Sequence, residues 1–321
     1  MRVAVVGAGA MGSVVSYLLC DRNDIVLFDS RRDRVEEISG SGVRLRGALS
    51  GKALIPIESE PRSNSPFDFI VLAVSAVTGA EALRPLSPLV HRDTVYVSFQ
   101  EGSAVEELAK IVGGDRTAAC LSAVSAAETE GGEVEVEELR SFLLFGYRTE
   151  AALRFQPFLE AMIAACGDKI EVAEDLEEAV LNRICAVGPV SALCAITGGV
   201  PEEIRGIDEI DLICREAARE CHEVAGGAGE GTIPLSPWDE AVWRWIKPPM
   251  LADIEAGRRT EIDYLGGRLI SSAAARGTSI PANKALASMV KEIQVGGISP
   301  GEAALKELRR RIAEERGMSL Y

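Results

Sequence analysis

The sequence has little of what metal and thiol chemistry require. Among its 321 residues there are only two histidines, His91 and His222, which argues against a zinc site, and we expect no metal. The seven cysteines are scattered, odd in number and never spaced as Cys-x-x-Cys. The N-terminus has the pattern of a strand and not of a signal peptide. We therefore expect free thiols in a reducing, cytoplasmic location.

Positive charge is scarce as well. The chain has 49 acidic against 34 basic residues and a net charge of −15, which argues against nucleic acid or an anionic membrane as partners. No apolar run is predicted to span a bilayer. Aromatic residues make up only 5% and hydrophobic residues 47%, so the core is expected to be aliphatic. The length allows two domains, and the expected partner is a small-molecule substrate.

The first thirty residues carry the most informative pattern. An apolar run breaks into Gly-x-Gly-x-x-Gly at Gly7, Gly9 and Gly12, a helical stretch follows, and a second apolar run ends in Asp29. Gly7 permits a tight turn, Gly9 lets the backbone approach a pyrophosphate, and Gly12 lets the helix pack closely on the strand. A glycine motif between a strand and a helix, with an acid ending the next strand, predicts a dinucleotide site.

The residues around Asp29 leave the choice of dinucleotide open. Asp29 is placed to accept hydrogen bonds from an adenosine ribose, which favours NAD, whereas Arg31 and Arg32 are suited to a 2′-phosphate. The cofactor is therefore NADP(H) or NAD(H). Candidate contacts lie in the glycine motif and at the ends of the following strands: Gly7, Ala8, Gly9, Ala10, Met11, Gly12, Asp29, Arg31, Ala73, Ser75, Gln100 and Glu101.

Strands and helices alternate over the first half of the chain, which predicts an α/β fold with a doubly wound parallel sheet. Strands are predicted at residues 1–6, 25–28, 68–74, 94–99, 118–126, 139–146 and 169–172, with a polar-edged pair of strands within 43–57. Helices are predicted at 13–20, 31–39, 80–86, 104–111 and 151–165. The acidic run at 128–138 is predicted to be a solvated turn. Ser75 and Gln100 follow strands, at the sheet edge where ligands bind.

Helical periods replace this alternation from about residue 174. Helices are predicted at 176–195, 203–225 before a glycine-rich stop at 226–229, 250–275, 283–295 and 300–317. We thus predict an N-terminal Rossmann domain, residues 1–173, and an all-helical domain for substrate and dimerisation, residues 174–321, with a cleft between them. The apolar surface of the helical domain is compatible with a homodimer.

Two further stretches, 250–267 and 277–284, join the glycine motif in a resemblance to ketopantoate reductase. The sequence Arg-Thr-Glu-Ile-Asp-Tyr at 259–264 is more specific than the glycines, and the likeness runs end to end. It implies a Rossmann domain joined to a helical domain, with the active site between them. It also implies reduction of a 2-oxo acid, 2-dehydropantoate, with NADPH in the route to pantothenate.

The resemblance also implies roles for residues, several of which differ from the family pattern. Glu261 retains the glutamate near nicotinamide and substrate, and Arg183 stands where the family has its catalytic lysine. The family's substrate-binding asparagines fall at Val187 and Ser191, its loop asparagine at Glu101, a substrate-contacting serine at Pro249, and a lysine near the cofactor phosphate at Ser75. Arg183 and Glu261 are thus the candidate catalytic residues. Glu101, Arg183, Val187, Ser191 and Pro249 are the candidate substrate contacts, and Glu261 is also a cofactor contact.

These replacements leave three functional interpretations. An arginine can polarise a carbonyl or clamp a carboxylate, but it keeps its proton, so water or Glu261 would have to protonate the product. The leading function is an NAD(P)-dependent reductase of a 2-oxo acid. Glu101 adds a negative charge that suits an amine- or imine-bearing substrate, and loss of the lysine suits a non-catalytic dinucleotide-binding paralogue. A structural ion pair of Arg183 with Glu101 or Glu261 has equal weight with a substrate role.

Overall fold

The computed structural model describes residues 1–62, 64–146, 149–173, 175–225 and 247–317. The chain divides into two compact units. The first comprises residues 1–100 with 104–176, and the second comprises residues 101–103 with 177–321. The short segment 101–103 therefore packs with the second unit, although the residues on both sides of it belong to the first.

Ten strands of the described residues form one mixed sheet in the first unit. They are β1 (Arg2–Val6), β2 (Asp24–Phe28), β3 (Val43–Gly47), β4 (Gly51–Ala53), β5 (Ile57–Glu58), β6 (Phe67–Leu72), β7 (Val90–Ser98), β8 (Thr117–Glu128), β9 (Val134–Gly146) and β10 (Ile170–Val172). Their order is β4-β3-β9-β8-β7-β6-β1-β2-β5, with β10 also paired to β9. The stretch from β8 to β5 is parallel, as predicted, while β8–β9 and β3–β4 are antiparallel pairs that the sequence analysis does not separate from it.

Helices cover both faces of this sheet. They are α1 (Ala10–Leu19), α2 (Arg32–Ser41), α3 (Gly79–Leu83), α4 (Ala104–Val112) and α5 (Thr149–Cys166). Successive residues of a strand point to opposite faces, so Val5 packs in one cluster with residues of α1 and α5, and Val6 packs in another with residues of α3 and α4. The doubly wound Rossmann arrangement is therefore confirmed.

The acidic run at 128–138 is predicted to be one solvated turn, but in the structure the turn is limited to residues 129–133 and the rest of the run belongs to strands. β8 extends to Glu128 and β9 begins at Val134, which leaves only residues 129–133 to connect them. Val134 and Val136 are fully buried, whereas the glutamates between and beside them are at least partly exposed. A Val-Glu-Val-Glu alternation has the two-residue period of a half-buried strand. The acidic composition concealed that period.

The described part of the second unit is all helical, as predicted. It contains α6 (Leu176–Thr197), α7 (Pro201–Ile204), α8 (Asp208–Val224), α9 (Pro249–Glu255), a π-helical turn (Asp263–Gly267), α10 (Arg268–Arg276), α11 (Pro281–Gln294) and α12 (Glu302–Glu315). The single helices predicted at 203–225 and 250–275 are wrong, because Gly206 (φ +84°) and Gly257 (φ +63°) interrupt them in the left-handed region. The predicted glycine-rich stop at 226–229 lies outside the described residues.

One helix contradicts the expectation that no apolar run could span a membrane. Residues Glu177–Thr197 form a helix of 21 residues with a mean hydropathy of 1.7 in its most apolar window, which suffices by length and composition. However, 83% of that window is buried inside the protein. Such burial is what the core helix of a soluble protein shows.

A buried carboxylate joins α8 to the N-terminus of α11. Glu220 is fully buried. One of its oxygens accepts the Ala282 N–H at 2.8 Å, and the other accepts the backbone N–H and the side-chain amide of Asn283 at 2.9 and 2.8 Å. Burial raises the pKa of Glu220, and the N–H groups of Asn283 and Ala282 limit that rise. Both oxygens act as acceptors, and a carboxylate alone among side chains provides this pattern.

We expect Glu220→Gln to lower the free energy of unfolding by about 1–3 kcal/mol, because the glutamine NH₂ would face an N–H donor in a buried site. Urea unfolding followed by circular dichroism measures this. The matched control is Glu223→Gln on the same helix, where an exposed carboxylate pairs with Arg219 and the expected loss is at most about 1 kcal/mol. Equal losses in the two variants would contradict the capping role.

Candidate cofactor and catalytic site

The three glycines of the motif are required for different reasons. Gly7 has φ +99°, and a Cβ there would lie 2.8 Å from the carbonyl oxygen of Ala73. A Cβ at Gly12 would overlap the carbonyl oxygen of Gly7. At Gly9, in contrast, a Cβ would meet only one described atom within 4 Å, a carboxylate oxygen of Glu128 at 3.2 Å. The fold therefore requires Gly7 and Gly12, whereas the space over Gly9 is available to a ligand.

The N-terminus of α1 is suited to an anion. The helix begins at Ala10, its N-cap is Gly9 without a capping side chain, and its first turn has no acidic residue. The first N–H groups of a helix lack partners within the helix, and the helix dipole favours negative charge there. Ala10 and Met11 are partly buried in this turn, and Ala8 is fully buried before it. The loop and helix thus fit the pyrophosphate of a dinucleotide, which is the predicted arrangement.

Asp29 directly follows β2 and contacts this loop. Its carboxylate accepts the Ala8 N–H at 2.8 Å and the Arg31 N–H at 2.9 Å, and it pairs with the Arg31 guanidinium at 3.1 Å. Burial alone would raise the pKa of Asp29. The Arg31 side chain and the backbone N–H groups of Arg31 and Ala8 outweigh burial and lower it, so the side chain is a carboxylate at neutral pH.

Two residues beside Asp29 and Arg31 were missed by the sequence analysis. Glu128 accepts hydrogen bonds from the Arg31 guanidinium at 3.1 and 3.2 Å. Arg34 is buried, and it donates to the carbonyl oxygens of Ala8 at 2.9 Å and Gly132 at 2.7 Å. The Val-Glu alternation after residue 133 was the available signal that the hairpin is longer than predicted, and Glu128 lies at the end of its first strand. A charged residue on a short polar helix gives no sequence signal of burial, so Arg34 was not predictable.

The candidates at the ends of β6 and β7 hold the sheet edge together. Ala73 donates its N–H to the Val6 carbonyl at 2.8 Å. Gln100 is buried, and its side-chain amide donates to the carbonyls of Val74 at 3.1 Å and Ser75 at 3.0 Å. The amide of Gln100 therefore positions the β6 loop, and the predicted convergence of Ser75 and Gln100 is observed.

The second unit contains an ion pair between two of the predicted site residues. Arg183 on α6 donates from Nε to Glu101 Oε2 at 2.9 Å and from Nη2 to Oε1 at 2.7 Å. This two-pronged geometry makes a strong pair, and the two side chains are 15% and 27% exposed. Val187 and Ser191 are buried at four-residue intervals after Arg183, which places all three on one stripe of α6.

The segment 101–103 is seated on the turn that Glu261 begins. Gly102 has φ +63°, and a side chain there would collide with the carbonyl of Tyr264. Ser103 donates its N–H and hydroxyl to that carbonyl at 3.0 and 3.3 Å. The Tyr264 N–H in turn donates to the backbone carbonyl of Glu261, which is 9% exposed. Pro249 is exposed at the first position of α9.

Sequence comparison gives the same answer for both units. The family described as "Ketopantoate reductase PanE/ApbA" matches residues 3–149, and its C-terminal counterpart matches residues 175–294. The chain belongs to the ketopantoate reductase family. Similar curated proteins include 2-dehydropantoate 2-reductases of Pyrococcus horikoshii, 27% identical over 91% of this chain and 97% of that protein, and Archaeoglobus fulgidus, 24% identical over 92% and 98%.

Solved structures agree with the fold described above. A 2-dehydropantoate 2-reductase from Geobacter metallireducens has a TM-score of 0.81 at 22% identity, covering 91% of this chain and 99% of that one. D-mandelate dehydrogenase, solved with NADH and anilino(oxo)acetate, has a TM-score of 0.78 at 19% identity, covering 92% and 99%. As a ketopantoate reductase family member, the protein is an NAD(P)-dependent oxidoreductase acting on a CH–OH group.

Proposed function

We propose that the protein reduces a 2-oxo acid to a 2-hydroxy acid with NAD(P)H, as the names of its relatives indicate for them. The observation that carries this proposal is Arg183. The position that corresponds to the catalytic lysine of the family still holds a cation, largely buried on the same stripe of α6 as Val187 and Ser191. In this proposal the first unit, predicted as residues 1–173, binds the dinucleotide, and the second, predicted as residues 174–321, supplies the substrate contacts.

In this proposal Arg183, Glu101 and Glu261 have different roles in the reduction. The nicotinamide, when bound, supplies the hydride that reaches the carbonyl carbon of the substrate. Arg183 stabilises the negative charge that develops on the carbonyl oxygen, and Glu101 fixes the orientation of its guanidinium. A guanidinium keeps its proton in proteins, so the proton that completes the alcohol comes from water or from Glu261.

The ion pair between Arg183 and Glu101 weakens the case for an amine- or imine-bearing substrate. The negative charge of Glu101 was the reason to consider an amine- or imine-bearing substrate, and Arg183 compensates that charge. A non-catalytic, dinucleotide-binding paralogue remains the alternative, because the lysine and the polar substrate contacts are replaced. Turnover distinguishes the two.

The substrate contacts favour an apolar 2-oxo acid. Val187 is a buried apolar residue where the family resemblance places a substrate-binding asparagine, and Pro249 stands in place of a serine. A site that lacks these groups loses its discrimination in favour of a hydroxylated substrate. We therefore propose that 2-oxo acids with branched or aromatic side chains are reduced faster than 2-dehydropantoate.

The test is consumption of NADH and of NADPH with 2-dehydropantoate and a panel of 2-oxo acids with aliphatic, branched and aromatic side chains. Turnover of any member supports the proposal, and the ranking of kcat/KM tests the preference for apolar side chains. Cofactor binding without turnover on the whole panel would contradict the proposal and support the non-catalytic paralogue. Three further points stay predictions: a cytoplasmic location, a homodimer formed through the helical unit, and catalysis in a cleft between the two predicted domains.

A further inference from the structure

We propose that Glu128, the last residue of β8, makes the protein select NADH over NADPH. Its carboxylate stands beside Asp29 as a second acidic group at the adenosine end of the dinucleotide site. The inference deepens the proposed function and rests on it only in that the protein binds a nicotinamide dinucleotide.

The guanidinium of Arg31 is already engaged by two carboxylates. Its Nε and Nη2 donate to Asp29, and its Nη1 and Nη2 donate to Glu128, all between 3.1 and 3.2 Å. A guanidinium has five N–H donors, so these two carboxylates occupy most of its hydrogen-bonding capacity. Arg31 is one of the two side chains that the sequence offers to a 2′-phosphate, and to bind that group it would have to release Glu128.

The net charge around Arg31 also disfavours the 2′-phosphate of NADPH. The connected network has four carboxylates and three guanidiniums, which leaves one carboxylate in excess: Asp29, Glu37, Glu128 and Glu133 form ion pairs with Arg31, Arg34 and Arg44. Adjacent Arg32 and Asp33 are both exposed and of opposite sign. A phosphate monoester adds a charge of about −1.5 to −2 at neutral pH, and in this setting it meets net repulsion.

A ribose hydroxyl has the opposite requirement, because it can donate to a carboxylate. Asp29 is the expected acceptor at the end of the second strand. Glu128 is a second one, because its Oε1 lies only 3.2 Å from the position of a Cβ on Gly9. The two carboxylates therefore flank the stretch of loop along which the dinucleotide runs.

The β8–β9 hairpin is held so that Glu128 cannot swing away at low cost. Its turn is closed by hydrogen bonds between Thr129 and Glu133 and between Gly132 and Thr129, each 2.9 Å. The buried Arg34 binds the Gly132 carbonyl at 2.7 Å, and Arg44 binds that of Gly131 at 2.7 Å. The carboxylate is thus preorganised next to the glycine-rich loop.

The experiment measures dissociation constants of NADH and NADPH by titration calorimetry, without substrate. Wild type is expected to bind NADH at least about tenfold more tightly than NADPH, with the ratio shrinking as salt screens the repulsion. Glu128→Gln is expected to tighten NADPH binding by about tenfold and to change NADH binding by no more than about threefold, since the amide oxygen still accepts a hydroxyl. Glu135→Gln on the same hairpin, where the exposed carboxylate pairs with Arg46 at 2.7 Å, should change neither.

Three results would overturn the inference: wild type binding NADPH as tightly as NADH, a selectivity ratio unchanged in Glu128→Gln, or folded wild type that binds neither cofactor. Selective NADH binding that depends on Glu128, together with no turnover of any 2-oxo acid, would support the inference while the proposed reaction fails. The two proposals are therefore separable.

Discussion

Gly9→Ala is expected to leave the protein folded while weakening dinucleotide binding by about a hundredfold or more, equivalent to about 2.7 kcal/mol. Gly9 has φ −71° and is the N-cap of α1, a conformation that alanine adopts freely. An added methyl group would approach only a carboxylate oxygen of Glu128, at 3.2 Å, among the described atoms. It would occupy the space through which a pyrophosphate reaches the backbone. NADH titration and thermal unfolding measure the two effects separately.

Two other glycines provide the controls. Gly12→Ala places a methyl group on the carbonyl oxygen of Gly7, a backbone atom that cannot move aside, so both stability and binding should fall. Gly40 lies inside α2 with no described atom near its missing Cβ. Gly40→Ala should raise stability by up to about 1 kcal/mol and leave binding unchanged. Normal cofactor affinity in Gly9→Ala would show that no ligand approaches this loop.

Much of the fold follows from local patterns in the sequence. The central strands are continuous apolar runs because helices bury both of their faces, so their type and order along the chain were predictable. The boundaries of strands and helices were harder to predict where the amino-acid composition and the hydrophobic period disagree. The strand that begins at Val134 has the composition of a solvated loop, and the break at Gly257 falls within an otherwise helical pattern. Only burial of alternate residues, or a positive φ, distinguishes these cases.

The site divides in the same way between local and distant determinants. Gly7, Gly12 and Asp29 act within one βαβ unit, so the short-range pattern identified them. Glu128, the second carboxylate that Arg31 binds, is 97 residues away in the chain, and Glu101, which Arg183 binds, is 82 residues away. No local period encodes such pairs. From the sequence the partner of Arg183 is therefore open between Glu101 and Glu261, and the structure shows that Arg183 pairs with Glu101.

Arg183→Ala is expected to lower kcat/KM by about a thousandfold, the size of effect seen when a group that stabilises a developing oxyanion is removed. The variant also leaves Glu101 without its guanidinium in a site where it is only 27% exposed, so repulsion of an anionic substrate adds to the loss. Steady-state kinetics with the best 2-oxo acid of the panel measures this. Arg276→Ala is the control, because Arg276 pairs with Glu177 at 3.1 Å on an exposed surface and its loss should change kcat/KM less than about twofold.

The exchange of both partners tests whether the pair replaces a lysine and an asparagine as one unit. Arg183→Lys alone sets a shorter cation against Glu101, and Glu101→Asn alone leaves an arginine without its carboxylate, so each single change should lower turnover of 2-dehydropantoate. The double variant should exceed both, because interacting residues change non-additively. The kcat/KM of the double variant should also fall at high pH, since a lysine can deprotonate where an arginine cannot. Single variants that add without coupling, or a double variant whose pH profile matches wild type, would mean that Arg183 and Glu101 only hold α6 to the segment 101–103, and that the proton and the charge stabilisation come from elsewhere in the site.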